Sequence, residues 1–306
     1  MTGLSRAVTL FSALPGNARG AVWMVVASLF YACTYGTVRH LSTDFGTFQI
    51  VFFRSALGVL FMLPWALRVG RAGLATKRHG LYWVRCGLNY FGMVLLMWGI
   101  ANLAIQDVTA LMFTSPLFTV LFVSLILGEV VGIRRWTALL VGFCGALIII
   151  RPGFAEVSYA AIGVMSTSAA YALVNTANKS LAKTEDSNLI VFYTFVLMML
   201  VGAVPAFMNW SPLTLETIPW ILALGVFSSL ATQCVIRAIS VGEASVVMPF
   251  NFLKLPFAVV IGFTFWNEFP DGWTGLGALV IFSSTWYIAR REAALRAQAA
   301  APTPSG

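Results

Sequence analysis

Ten apolar runs follow one another along the chain, at positions 20–38, 47–67, 80–101, 108–127, 136–150, 158–178, 188–208, 217–236, 244–265 and 272–289. Short stretches holding charge, Gly and Pro separate them. Most have about the 20 residues that a helix needs to cross a hydrocarbon core of about 30 Å. The fifth, which ends ahead of Arg151, is the shortest. Backbone groups in lipid must be satisfied within their own segment, and the alternation of an outer-membrane strand is missing, so the runs predict helices. The first run has a counterpart later in the chain and is expected to stay as a helix rather than be cleaved as a leader.

Composition points to the same solvent. Hydrophobic residues make up 59% of the chain and charged ones 10%, against about 25% charged in soluble domains. Water would not tolerate that surplus of apolar surface, whereas a lipid bilayer solvates it. The net charge of +8 is not gathered into a patch or tail, so the footprint that nucleic acid requires is missing and no such partner is expected. The basic residues instead sort by side. Fourteen lie on the N-terminal side of the runs, Arg68, Arg71, Lys77 and Arg78 among them, whereas the other side holds only Arg39 and Arg151. Because positive loops stay inside, both termini are expected in the cytoplasm and the chain in a bacterial inner membrane. The four cysteines sit inside apolar runs as small hydrophobes, and no spacing calls for a metal or a cofactor.

The order of features repeats at an offset near 140 residues. Phe30-Tyr31-Ala32 answers to Ala170-Tyr171-Ala172, and 53–64, ahead of Trp65-Ala66, answers to 193–205, ahead of Ala206-Phe207. Gly128-Glu129 closes the fourth run as Asn267-Glu268 closes the ninth. Each unit, 20–152 and 153–291, holds five runs, an odd number, so the second must enter the membrane from the opposite side. The expected fold is an all-α membrane protein: ten transmembrane helices as two inverted five-helix repeats around a central cavity, the architecture that yields alternating access. The flanks, 1–19 and 292–306, read as a cytoplasmic N-terminal segment and a disordered cytoplasmic tail.

The segment Asp107-Val-Thr-Ala-Leu-Met-Phe-Thr-Ser-Pro116-Leu-Phe-Thr-Val-Leu-Phe, followed by Gly128-Glu129, resembles the fourth-helix motif of EamA-type carriers in the drug/metabolite transporter superfamily. Its counterpart, Gly242-Glu-Ala-Ser-Val-Val-Met-Pro249 running on to Asn267-Glu268, resembles it too. The resemblance covers about residues 18 to 292. It implies a ten-helix basket whose cavity is built largely by the first, third, fourth, sixth, eighth and ninth helices. Carriers of this type export amino acids, other metabolites or drugs. Gln106-Asp107, where many relatives have small residues, and Lys254 depart from the pattern.

Lys254 lies near the middle of the ninth run, about 15 Å from either end at 1.5 Å per residue, too deep to snorkel. A charge at that depth costs at least about 2.5–3.5 kcal/mol and must face a wet cavity or a partner. Either the ammonium binds a substrate carboxylate or phosphate, or it bonds to carbonyls freed by the flanking Pro249 and Pro256. Those prolines permit kinks and are candidate hinges. Asn251 lies on roughly the same face. Tyr31 and Tyr35 in the first run, Asn89, Tyr90 and Trp98 in the third, Tyr171 and Asn175 in the sixth and Gln233 in the eighth complete the candidate substrate-binding set, each with core packing as the alternative. Gly36, Gly92, Gly163 and Gly225 suit close helix packing. Arg54 and Arg85 are within snorkelling reach of an interface, and Asp107, Glu129 and Glu268 read as boundary anchors.

These residues predict a secondary transporter of small organic metabolites, working by uniport or exchange because no carboxylate sits at mid-membrane. Aromatic or apolar amino acids are the expected exported class. A phosphorylated or anionic metabolite and a drug are the alternatives within transport, and a membrane scaffold or receptor the alternative outside it. An enzyme is not expected: His40 and His79 fall on opposite sides of the membrane and no GxxxxGK[ST] is present. The expected partners are a small-molecule substrate and the lipid bilayer, with the chain a monomer or a weak homo-oligomer.

Overall fold

The computed structural model describes residues 14–127, 133–151, 158–181, 184–242, 244–269 and 271–300. Every element in them is helical: α1 Gly16–Leu41, α2 Thr47–Gly73, α3 His79–Asn102, α4 Ile105–Met112, α5 Ser115–Leu127, α6 Ile133–Ile150, α7 Tyr159–Leu181, α8 Ser187–Met208, α9 Ile218–Val241, α10 Ala244–Val247, a 3-10 turn Met248–Leu253, α11 Lys254–Trp266 and α12 Gly272–Ala300. Seven segments are long and apolar enough to cross a membrane, and Trp136–Ile150 is apolar but shorter. The 23 residues of α7 include Ser166, Thr167, Ser168, Asn175 and Thr176, and Thr167 and Ser168 are buried. The helix spends its polarity on its neighbours rather than on lipid.

Large apolar side chains such as Leu67, Val84, Val204 and Phe265 are exposed on the outer surface, as a lipid-solvated protein allows. Helix limits differ from the apolar runs where charge is tolerated. The last helix continues to Ala300, past the boundary expected at 291, and 301–306 lie outside the described residues. α2 bends at Gly70, whose φ of 68° and ψ of −177° suit only glycine.

Two runs expected to be continuous are broken. The run 108–127 divides at Phe113-Thr114 into α4 and α5, and 244–265 divides into α10, the 3-10 turn and α11. Pro249 sits in the first turn of the 3-10 piece and Pro256 in the first turn of α11. At those positions proline forfeits no helical bond, because its N–H would be unsatisfied in any case. The prolines therefore open new helical pieces instead of kinking one long helix, which corrects the expected geometry. A break in a membrane-spanning helix must be satisfied from inside the protein. Thr114 and Ser168 hydroxyls both donate to the Leu111 carbonyl, at 2.7 and 3.2 Å. Ser28 donates to the Phe250 carbonyl at 3.3 Å.

The principal helix pairs all join the first unit to the second: α1 with α9, α2 with α8, α3 with α7 and α6 with α12. The last pair is close enough that a Cβ on Gly145 would stand 2.8 Å from the Gly277 carbonyl oxygen. The glycines expected to allow close packing do meet neighbours: Gly36 faces Ile261, Gly92 faces Tyr171, Gly163 faces Trp98 and Gly225 faces Leu57.

Candidate functional site

The two breaks meet. Phe113, at the division between α4 and α5, faces Phe252 of the 3-10 turn with ring centroids 4.4 Å apart. Lys254 follows that turn directly as the first residue of α11 and is 8% exposed. Its Nζ lies 5.5 Å from the ring centroid of Tyr31, 5.6 Å from that of Tyr35 and 5.6 Å from that of Phe113. The i, i+4 spacing of the tyrosines on α1 puts both rings under the ammonium. No carboxylate pairs with Lys254 among the described residues. Ring contacts return about 0.5–2 kcal/mol for a cation, less than the cost of at least about 2.5–3.5 kcal/mol for a charge at mid-membrane. The cluster can therefore stabilise an incoming anion, and its rings can cover an apolar or planar group.

Tyr171 on α7 packs against the same extended core that holds Tyr35. Tyr171 also donates to the Met93 sulfur at 3.7 Å. Arg54 is 9% exposed. It does not snorkel as its depth suggested, and its Nε is enclosed. Arg85 does not snorkel either. It is 6% exposed and donates to Asn178 and Thr194, tying α3 to α7 and α8.

The remaining candidates make their contacts elsewhere. The Asn251 carbonyl accepts from the Lys254 N–H, which keeps it beside the lysine. Asn89 donates to the Met198 sulfur at 2.8 Å and Gln233 to the Met62 sulfur at 3.8 Å. Tyr90 packs on Gly202, its hydroxyl enclosed without a partner. Trp98 is 37% exposed and covers Gly163, and Asn175 is exposed. Lys254, Tyr31, Tyr35 and Phe113 are thus assembled together with Asn251 next to them, while Tyr171 and the α3 and α9 residues belong to helix interfaces.

The acids expected as boundary anchors form a latch between the units. Glu268 pairs with Arg39 at 3.3 Å and accepts from the Ile105 N–H at 2.9 Å. Arg39 also donates to the carbonyls of Ile100 and Leu103, at 2.8 and 2.9 Å. Gln106 donates to the Phe269 carbonyl at 3.1 Å, Thr274 donates to Asp107 at 2.6 Å, and Arg151 pairs with Asp271. Glu129, the counterpart of Glu268 in the first unit, lies outside the described residues.

Long apolar helices throughout the described residues, two of them broken where a buried lysine meets aromatic rings, define a multi-pass membrane protein. The chain belongs to the EamA-like transporter family, which it matches twice, over residues 18–151 and 158–290. It is 30% identical to a riboflavin transporter of Vibrio cholerae serotype O1, covering 90% of this chain and 94% of that one. It is 33% identical to a pseudopaline exporter of Pseudomonas aeruginosa, covering 86% and 93%. An S-adenosylmethionine uptake transporter of Rickettsia bellii is 26% identical over 89% and 94%. A solved crystal structure shares the fold with a TM-score of 0.60 at 12% identity, covering 90% of this chain and 99% of that chain. The chain is a small-metabolite transporter of the drug/metabolite superfamily, with a small molecule and a lipid bilayer as its partners.

Proposed function

We propose that the chain is an alternating-access carrier, running by uniport or exchange, for small ring-bearing organic metabolites that carry a negative group, aromatic amino acids among them. The observation that carries this reading is the Lys254 ammonium, buried over Tyr31, Tyr35 and Phe113 at the junction of two broken helices, with no carboxylate paired to it among the described residues. Broken helices at corresponding places in two halves are where carriers of this design bind substrate, because half-helix ends and freed backbone face the site.

The same reading takes the chain as ten membrane-crossing helices in two inverted units, with both termini in the cytoplasm of a bacterium. Two features support the inversion: the family matches the chain twice, and the helix pairs keep their identity when the units are exchanged, α1 with α9 answering to α7 with α3. Asp107 and Glu268 are held in the latch, so neither is free to carry a proton, which favours uniport or exchange. Relatives named for uptake and for export fit a carrier whose net direction follows the substrate gradient, export being the expected one. A cationic drug is disfavoured by the charge of Lys254.

Counterflow into liposomes holding purified protein tests this. Wild type is expected to exchange a labelled member of the class, such as tryptophan or flavin mononucleotide, without a pH gradient, and Lys254→Gln is expected to lose it. Exchange of none of these compounds would sink the reading, and full exchange by the variant would move the site away from Lys254.

A further inference from the structure

The bonds gathered around Glu268 have a common geometry. α4 starts at Ile105 behind Ala104, which has no side chain to cap it. The helix is capped from the other unit instead: Glu268 accepts from the Ile105 N–H at 2.9 Å, placing negative charge at the positive end of α4. Arg39 does the converse for α3. It donates to the Ile100 and Leu103 carbonyls at the end of that helix, where positive charge is favoured, and pairs with Glu268 at 3.3 Å. The ion pair therefore straddles the Leu103-Ala104 corner between the two helices. The next two residues of α4 hold the same segment, Gln106 donating to the Phe269 carbonyl and Asp107 accepting from Thr274. The end of α11 aims Glu268. Asn267 takes a left-handed conformation, φ 52° and ψ 31°, and the Glu268 N–H bonds back to the Gly262 carbonyl at 3.1 Å. Gly262 leaves room for the returning carboxylate, since a Cβ there would stand 2.8 Å from Glu268 Oε2.

α4 and α11 pack on each other. Each has the latch at one end and the aromatic cluster at the other: Phe113 follows α4, and Lys254 begins α11. The 13 residues of α11 put about 20 Å between those ends. Parting the two half-helices at the latch opens a route along their contact to Lys254, and closing the latch seals it. We propose that Arg39, Glu268 and the first turn of α4 form the carrier's gate on the side away from the cytoplasm, with α4 and α11 as its two leaves. The inference rests on the carrier reading above and goes beyond it by naming the contact that must break. Hydrogen bonds and one ion pair suit that task, because each is of modest net strength and can be exchanged for water when the leaves part.

Side-resolved labelling tests this. The reporter is Asn251→Cys, beside Lys254, in a chain whose four native cysteines are replaced, held in one orientation in liposomes. Glu268→Gln keeps an acceptor for the Ile105 N–H and loses the ion pair. It is expected to speed labelling by an impermeant thiol reagent from the latch side about tenfold, the equivalent of one charge-assisted contact, and to slow labelling from the opposite side. Thr274→Val, which disturbs the fold less, is expected to shift both rates in the same sense by a smaller factor. Gln49→Ala serves as the control. It loses two bonds to Ser211, between the start of α2 and the segment after α8, outside the latch, and is expected to leave both rates unchanged. Unchanged rates in both latch variants, faster labelling from both sides, or the same shift in Gln49→Ala would overturn the inference. Counterflow by wild type separates its failure from that of the carrier reading: a protein that exchanges substrate while its labelling ignores the latch is a carrier gated elsewhere.

Discussion

A charge buried without a partner leaves a signature that a structural charge does not. Lys254→Gln removes an unpaired cation from the interior, so the thermal midpoint in detergent is expected to hold or rise while anion binding weakens. A lower midpoint would mean that the lysine supports the fold. Glu268→Gln works in the opposite sense. It strips the charge from an acceptor shared by Arg39 and the Ile105 N–H, and a destabilisation of about 1–3 kcal/mol is expected from unfolding curves. Gly92→Ala tests the placement of Tyr171, since the new methyl would stand 2.9 Å from that ring. The ring must shift, and a destabilisation of about 1–3 kcal/mol is expected from unfolding curves, whereas an unchanged midpoint would mean that the ring is not held there. The sequence flagged Lys254 by depth alone. It read Arg54 and Arg85 as snorkelling, yet both are buried, because depth says how far a side chain must reach and nothing of the direction it faces. Tyr90, Trp98, Asn89 and Gln233 show the same limit from the other side: they occupy apolar helices near the site yet spend their side chains on neighbouring helices.

At the scale of the element, the apolar runs located the helices, and their ends strayed where charge or glycine allowed the helix to continue. The breaks were harder to read. An apolar run remains apolar through a break, and the cue lies in a few residues, Thr114-Ser115-Pro116 in one unit and Met248-Pro249 in the other. Hydroxyl groups supply what the interrupted backbone lacks. Replacing both Thr114 and Ser168 with Ala leaves the Leu111 carbonyl without either side-chain donor. A loss of about 0.6–1.7 kcal/mol per bond is expected, in line with other polar contacts in membranes. Unchanged unfolding would show that water or backbone takes their place. At the contact of α6 and α12, Gly277→Val must force apart two backbones that meet at glycine, and a cost of about 1–3 kcal/mol is expected.

At the scale of the whole molecule, the two units are joined helix by helix, and one end of the assembly carries the Arg39–Glu268 and Arg151–Asp271 pairs. The repeat was readable in the order of features, because each unit keeps its aromatic, proline and Gly-Glu or Asn-Glu landmarks in sequence. The charge bias between loops predicts which end faces the cytoplasm. The cluster at the core is what neither pattern could show, since it is made by residues from α1, the end of α4 and the start of α11 that are far apart in the chain. A carrier needs that one cluster to be reached from both sides in turn.

Accessibility at the core tests this directly. A single cysteine in place of Asn251, in a chain whose Cys33, Cys86, Cys144 and Cys234 are replaced by Ser or Ala, reports on the space beside Lys254. With the protein in one orientation in liposomes, a membrane-impermeant thiol reagent is applied from the inside or from the outside. Labelling from both sides, slowed in each case by a transported substrate, is the predicted result. Labelling confined to one side, or unaffected by any substrate that the protein exchanges, would contradict the account.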